Sequence, residues 1–311
     1  MANDAIKVNQ PNAVQHITSR GSDWLWAVFA IMTFTDIVVF IWQFKLPRGQ
    51  RVFHQLAMFI LTTAAIAYFS MASNLGSTPV MTEFGHMGYA AGTSRQFWYV
   101  RYIDWVVTTP ALLLTLVLAS GLPLSDIIAL CYFDLVMIIT GLVGGLVPST
   151  YKWGFYTFGC AALFYIWWVL AGPARTSAGV IGNDYKRTFT TSAIFLSFLW
   201  LLYPIAWGLA DGANVISPDS EMIFYGILDV LAKPVYTIFH LAMLSKLDLT
   251  LLQLSSGKFT SSATYDREKT GNQGSIGTIP AQTAAKKGMF SRRSQQSADA
   301  RTSDITAVTA N

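Results

Sequence analysis

The sequence predicts an all-α fold: a bundle of seven membrane-spanning helices with the N-terminus outside and the C-terminus in the cytoplasm. Three observations predict it. Of 311 residues, 53% are hydrophobic and only 12% are charged, about half the ~25% charge of a typical soluble domain. Seven apolar stretches, at 24–44, 53–73, 97–119, 124–147, 153–171, 189–210 and 221–244, are each long enough as a helix to cross a ~30 Å hydrocarbon layer. A helix is the only open-ended element that satisfies its own backbone in lipid. The links KLPRGQR and GPARTSAGVIGNDYKR hold Lys45, Arg48, Arg51, Arg175, Lys186 and Arg187, whereas DGANVISPDSE carries three acids and no base. Basic loops stay on the cytoplasmic side, which sets the orientation.

Three regions follow. Residues 1–22 form a polar extracellular segment, 23–250 the helical domain, and 251–311 a cytoplasmic tail. The tail is rich in Ser, Thr, Gln, Ala and Lys and is expected to be disordered. The N-terminus lacks a short apolar core with a small-residue cleavage site, so no removable signal peptide is expected and the first helix serves for targeting. The net charge of +4 is spread over loops and tail, which excludes a nucleic-acid-binding stripe. Cys131 and Cys160 lie inside apolar runs and read as small buried hydrophobes.

In the first helix Asp36 lies near mid-membrane and reads as a structural hydrogen-bonding group beside Thr33 and Thr35. The second ends in AYFSM, whose Tyr68 is within reach of a central site. The link 74–95 is expected outside; its Glu83 and His86 show no metal-ligand spacing.

The third helix reads FWYVRYIDWVVTTPALLLTL. Arg101, Asp104, Thr108, Leu112 and Thr115 share one face by the helical period. Trp105 and Thr109 lie beside that face, and Pro110 removes a backbone donor. A polar face confined to the outer half and closed by leucine suggests a half-channel with a dry inner plug. In the fourth helix Asp134 is placed to bond Thr109, with Met137 and Gly141 further along. The fifth supplies Tyr156, Gly159 and Leu163. In the sixth, WLLYPIAW sets Trp200, Tyr203 and Trp207 on one wall around the hinge at Pro204.

The seventh stretch, FYGILDVLAKPVYTIFHLAML, puts Asp229 and Lys233 one turn apart. Ionisable groups at that depth are costly and mark function by default. A self-neutralising pair that stitches helices together is the competing reading. With Arg101 and Asp104 added, the four charges sum to zero if the lysine nitrogen is cationic. That is the arrangement expected around a buried cationic imine.

These residues resemble the microbial (type I) rhodopsins, fungal opsins in particular. RYIDWVVTTP together with LDVLAKP carries the resemblance, and WLLYPIAW, GPARTSA and AKPVY agree. The likeness covers about 23–248. The resemblance implies that Lys233 carries all-trans retinal as a protonated Schiff base. It implies Asp104 as proton acceptor and main counterion, Asp229 as second counterion, and Arg101 as the link to the outer side. It further implies that Thr108 bonds the acceptor and that Asp211 and Glu221 release the proton. Trp105, Thr109, Leu112, Met137, Gly141, Tyr156, Gly159, Trp200, Tyr203, Pro204 and Trp207 match the positions that hold the polyene.

One departure matters. Proton-pumping relatives carry a carboxylate at the position of Thr115, eleven residues from Asp104, or roughly 16 Å along the helix. Threonine is no comparable acid. His240, seven after Lys233, lies two turns inward on nearly the same face and titrates in a useful range. It is a candidate alternative donor; the competing reading is a histidine hydrogen-bonded at the inner helix end. The resulting expectation is a light-driven outward proton pump, not an enzyme, with slow or rerouted inner reprotonation. A photosensor with a long-lived signalling state is the alternative, and a passive channel is a third possibility. The lipid bilayer of the plasma membrane and protons are the expected partners. A homo-oligomer stays open, and neither a transducer nor a nucleic acid is indicated.

Overall fold

A computed structural model describes residues 3–47, 50–252 and 254. The tail expected from 255 onward lies outside the described residues. Seven helices long and apolar enough to span a membrane run Ser19–Lys45, Val52–Ala72, Tyr99–Val117, Leu124–Leu146, Lys152–Ile181, Asn183–Gly212 and Pro218–Leu244. They are called the first to seventh spans below. Consecutive spans pack side by side from the first to the fifth, and the seventh packs against the sixth and the first.

Burial is inverted relative to a water-soluble bundle. Phe34, Ile66, Ile128, Phe164 and Phe198 are all exposed, each at 60% or more, while Arg101, Asp104, Asp134, Glu221, Asp229, Lys233 and His240 are buried. Lipid accepts apolar side chains at no cost, so the polar groups gather inside, where they can pair.

Local chemistry sets the ends. Ser217 accepts a hydrogen bond from the Ser220 amide and Pro218 fills the first turn of the seventh span, a favoured start because both features deal with amides that lack helical partners. Thr18 caps the first span in the same way through the Arg20 amide. Its own amide and hydroxyl donate to Asp219 at 2.8 and 2.6 Å, tying the first span to the start of the seventh.

Two features differ from expectation. The link 74–95 carries an antiparallel hairpin, β1 (Thr78–Met81) and β2 (Ser94–Phe97), with Thr78 opposite Phe97 and Met81 opposite Ser94. The N-terminal segment adds to its edge: the Gln15 amide donates to Ser94 O and the Gln96 amide to Gln15 O, each at 2.9 Å. Gly76 leads into the hairpin at φ +84°, where a Cβ would fall 2.6 Å from Val100; only glycine fits. The second difference is the fifth-to-sixth link, expected as a loop. It continues as a π-type turn at Leu170–Ala174 and a helix at Arg175–Ile181, and the chain breaks only at Gly182. The widened turn takes up Pro173, which has no amide to donate.

The same device recurs at the centre. Pro234 sits in a π-type turn, Leu231–Val235, that also contains Lys233. Such turns inside helices re-aim side chains and gather at functional sites.

Candidate functional site

Lys233 points into the middle of the bundle. Its Nζ donates to Asp104 Oδ2 at 2.6 Å and lies 3.0 Å from Asp229 Oδ2. All three side chains are at most 2% exposed. Tyr68 and Tyr203 donate their hydroxyls to Asp229, at 2.8 and 2.6 Å. Asp229 is therefore held on both oxygens, whereas Asp104 Oδ1 has no partner. Breaking one side of such a buried pair costs ~3–5 kcal/mol, because it strands the other charge. The Thr108 hydroxyl lies beside Asp104, one turn along the same span. It donates to the main-chain oxygen of Asp104 at 2.9 Å, the usual resting place of a threonine one turn along a helix.

An apolar cavity opens from Lys233. Every expected wall residue lines it: Trp105, Thr109, Leu112, Met137, Gly141, Tyr156, Gly159, Trp200, Tyr203, Pro204 and Trp207. Tyr156 and Trp207 stack with centroids 5.2 Å apart, and Trp105 meets Tyr203 edge-on at 5.3 Å. The Trp207 indole is fixed by donating to Gly141 O at 3.1 Å. Thr109 donates to Asp134 Oδ2 at 2.7 Å, so Asp134 braces this wall from the fourth span. The cavity has aromatic sides and an amine at its end, with two carboxylates beyond. Its lining suits a long apolar ligand.

At the hairpin end the charges interlock. Glu221 accepts from Arg95 Nη2 at 2.7 Å and from Arg101 Nη1 at 2.8 Å, all three side chains being at most 4% exposed. The Arg101 guanidinium also lies 4.0 Å over the Tyr225 ring, a favourable cation–π placement. Arg101 turns to Glu221 and makes no bond to Asp104 or Asp229. Asp211 accepts from the Tyr102 hydroxyl at 3.0 Å, and among the described residues no hydrogen bond joins Asp211 to Glu221. Lys152, 1% exposed, reaches the Asp211 and Gly212 carbonyls at 3.4 and 3.3 Å and Glu83 at 3.7 Å.

At the opposite end His240 is buried. Its Nε2 lies 3.0 Å from Thr115 O and its Nδ1 2.8 Å from Ser192 Oγ. The Thr115 hydroxyl donates back to Leu112 O at 2.7 Å. Asp36 accepts from Thr62 at 2.6 Å, which joins the first two spans and places it apart from the Lys233 site.

The bacteriorhodopsin-like protein family matches residues 21–247. The chain belongs to that family. It is 50% identical over 286 residues to Protein FDD123 of Trametes versicolor, covering 91% of this chain and 98% of that relative. It is 49% identical over 241 residues to the opsin-like protein carO of Fusarium fujikuroi, covering 75% and 78%. Among solved structures, the light-driven proton pump LR (Mac) from Leptosphaeria maculans superposes with a TM-score of 0.71 at 35% identity, covering 75% of this chain and 99% of that one.

As a bacteriorhodopsin-like chain it is an integral membrane protein of a retinal-binding family. Several further residues around the site lie outside the motifs visible in the sequence. Tyr102, Ile138, Phe155, Cys160 and Ala232 also line the cavity. Arg95, Lys152 and Ser192 are buried polar partners, and no local pattern announces Lys152 or Ser192. For Arg95 one signal was available: it lies six residues before Arg101, facing the same charged end.

Proposed function

We propose that this chain is a light-driven outward proton pump of the plasma membrane that carries all-trans retinal on Lys233. The observation that carries the reading is the Lys233 amine between Asp104 and Asp229 at the end of an aromatic cavity. The likeness to light-driven proton pumps supports it. Bound there, retinal supplies light absorption and a cationic nitrogen whose proton light can displace.

The residues divide the remaining work. Asp104, whose Oδ1 is free of partners, takes the proton. Asp229 is held in place by the Tyr68 and Tyr203 hydroxyls, one on each of its oxygens. Asp104 thus accepts and Asp229 balances charge. Arg101, paired with Glu221 at the hairpin end, turns outward transfer into a movement of paired charges. Asp211 and Glu221 form the release side. Leu112 and Leu116, both buried, keep the inner half dry between cycles. Each exported proton works against about 2.3 kcal/mol per 100 mV, so a dry inner half prevents return. Thr115 replaces the inner carboxylate, which makes inner reprotonation the slow, rerouted step.

Light-induced pH change in intact cells tests the proposal. Acidification of the medium that a protonophore abolishes is the expected result. A normal photocycle with no acidification would overturn the pump reading in favour of a photosensor.

A further inference from the structure

The two ring nitrogens of His240 have unlike partners. Thr115 O is a carbonyl and can only accept, so His240 Nε2 carries a hydrogen and donates it. Thr115 lies in the last turn of the third span, whose carbonyls lack helical partners, and no main-chain donor beyond the helix end reaches its oxygen. His240 therefore caps this helix through Nε2. A carbonyl cannot take up or release a proton, so this side of the ring is closed to exchange.

Nδ1 faces Ser192 Oγ at 2.8 Å, and a hydroxyl can both accept and donate. Ser192 is fully buried on the sixth span. Thr188, also buried, lies one turn closer to the Asn183 end on the same face. Tyr236 stacks on the imidazole, with centroids 5.5 Å apart and planes 7° from parallel. Among the described residues, no ion pair involves His240.

We propose that Ser192 is the port through which His240 gains and loses its proton, and that the Ser192–His240 pair is the proton-uptake relay standing in for the carboxylate absent at Thr115. The inference rests on the pump reading above. In the loading step a hydrated proton passes to Ser192 Oγ as the serine hydroxyl proton moves to Nδ1. Water is left behind, and the imidazolium carries a hydrogen on each nitrogen. In unloading, Nδ1 hands its hydrogen back to Ser192 Oγ as the serine's own hydroxyl proton leaves to water on the Lys233 side, while Nε2 stays on Thr115 O. Ser192 is thus a positioning residue that acts through His240, and the capping role of His240 is separate from its proton traffic.

The test uses the retinal-loaded protein in lipid vesicles, with flash-induced absorbance recovery and a pH-indicator dye. Ser192→Ala, His240→Ala and the double variant are expected to slow recovery by the same factor, about tenfold or more, since a positioned acid or base contributes at least that much. Two residues of one relay do not add, whereas independent structural effects multiply. Ser192→Thr retains the wild-type rate and Ser192→Val, nearly the same volume without the hydroxyl, does not; the absorption maximum stays unchanged in all. Wild-type recovery in Ser192→Val, or a double variant slowed by the product of the singles, would overturn the relay alone. A wild-type protein with no light-driven proton uptake would overturn the pump reading and the relay with it.

Discussion

Tyr68 and Asp229 are joined by a 2.8 Å hydrogen bond between the second and seventh spans. Tyr203 holds the other Asp229 oxygen from the sixth span, so one carboxylate locks three helices around Lys233. Asp104, bonded only to Lys233, is the less constrained of the two acids.

That asymmetry predicts different outcomes for the two tyrosines and the two acids. Removing either hydroxyl leaves a buried acceptor short of a donor, at a cost of ~1–3 kcal/mol. Tyr68→Phe and Tyr203→Phe should both bleach at lower temperature. Only Tyr203 also lines the cavity, so only Tyr203→Phe should shift the visible band as well.

Asp104→Asn removes the proposed acceptor while keeping its shape. Net light-driven transport should fall to background. The band should move to longer wavelength, because an anion beside the cationic nitrogen stabilises the ground state more than the excited state. A transport assay in vesicles and one spectrum check both.

Arg95 is the hairpin's hold on Glu221. Arg95→Gln leaves Glu221 with Arg101 alone and should lower stability by ~3 kcal/mol, the low end for breaking a buried pair. Proton appearance, timed by an external dye, should be delayed. Lys7→Ala, which removes an exposed pair with Asp4, should change neither quantity.

Thr115→Asp places an acid at the His240 end of the third span. Recovery of the flash-induced absorbance change should quicken by about tenfold or more. An unchanged rate would mean that the missing carboxylate does not limit the cycle.

The spans and the central charges were legible because their signals are local. A run of apolar residues declares a helix, and an ion inside it declares a site. Asp134 and Thr109 could be paired from sequence since both follow from helical phase on adjacent spans. The hairpin was not legible: β1 and β2 have four residues each, too few for an alternating pattern, and the edge bonds to β2 come from Gln15 far away in the chain. Ser192 and Lys152 were missed for a related reason. A serine in an apolar helix is ordinary, and a lysine beside a loop normally reads as solvated. Only the approach of the seventh span gives Ser192 its partner, and only the Asp211 turn and Glu83, distant in the chain, give Lys152 its own.

The central claim is that Lys233 anchors the chromophore between two carboxylates. Adding all-trans retinal to the purified apoprotein and recording the visible spectrum tests it most directly. Wild-type protein should develop a visible band that survives removal of free retinal, and Lys233→Ala should stay colourless. A colourless wild type, or a Lys233→Ala variant that keeps the band, would contradict the account.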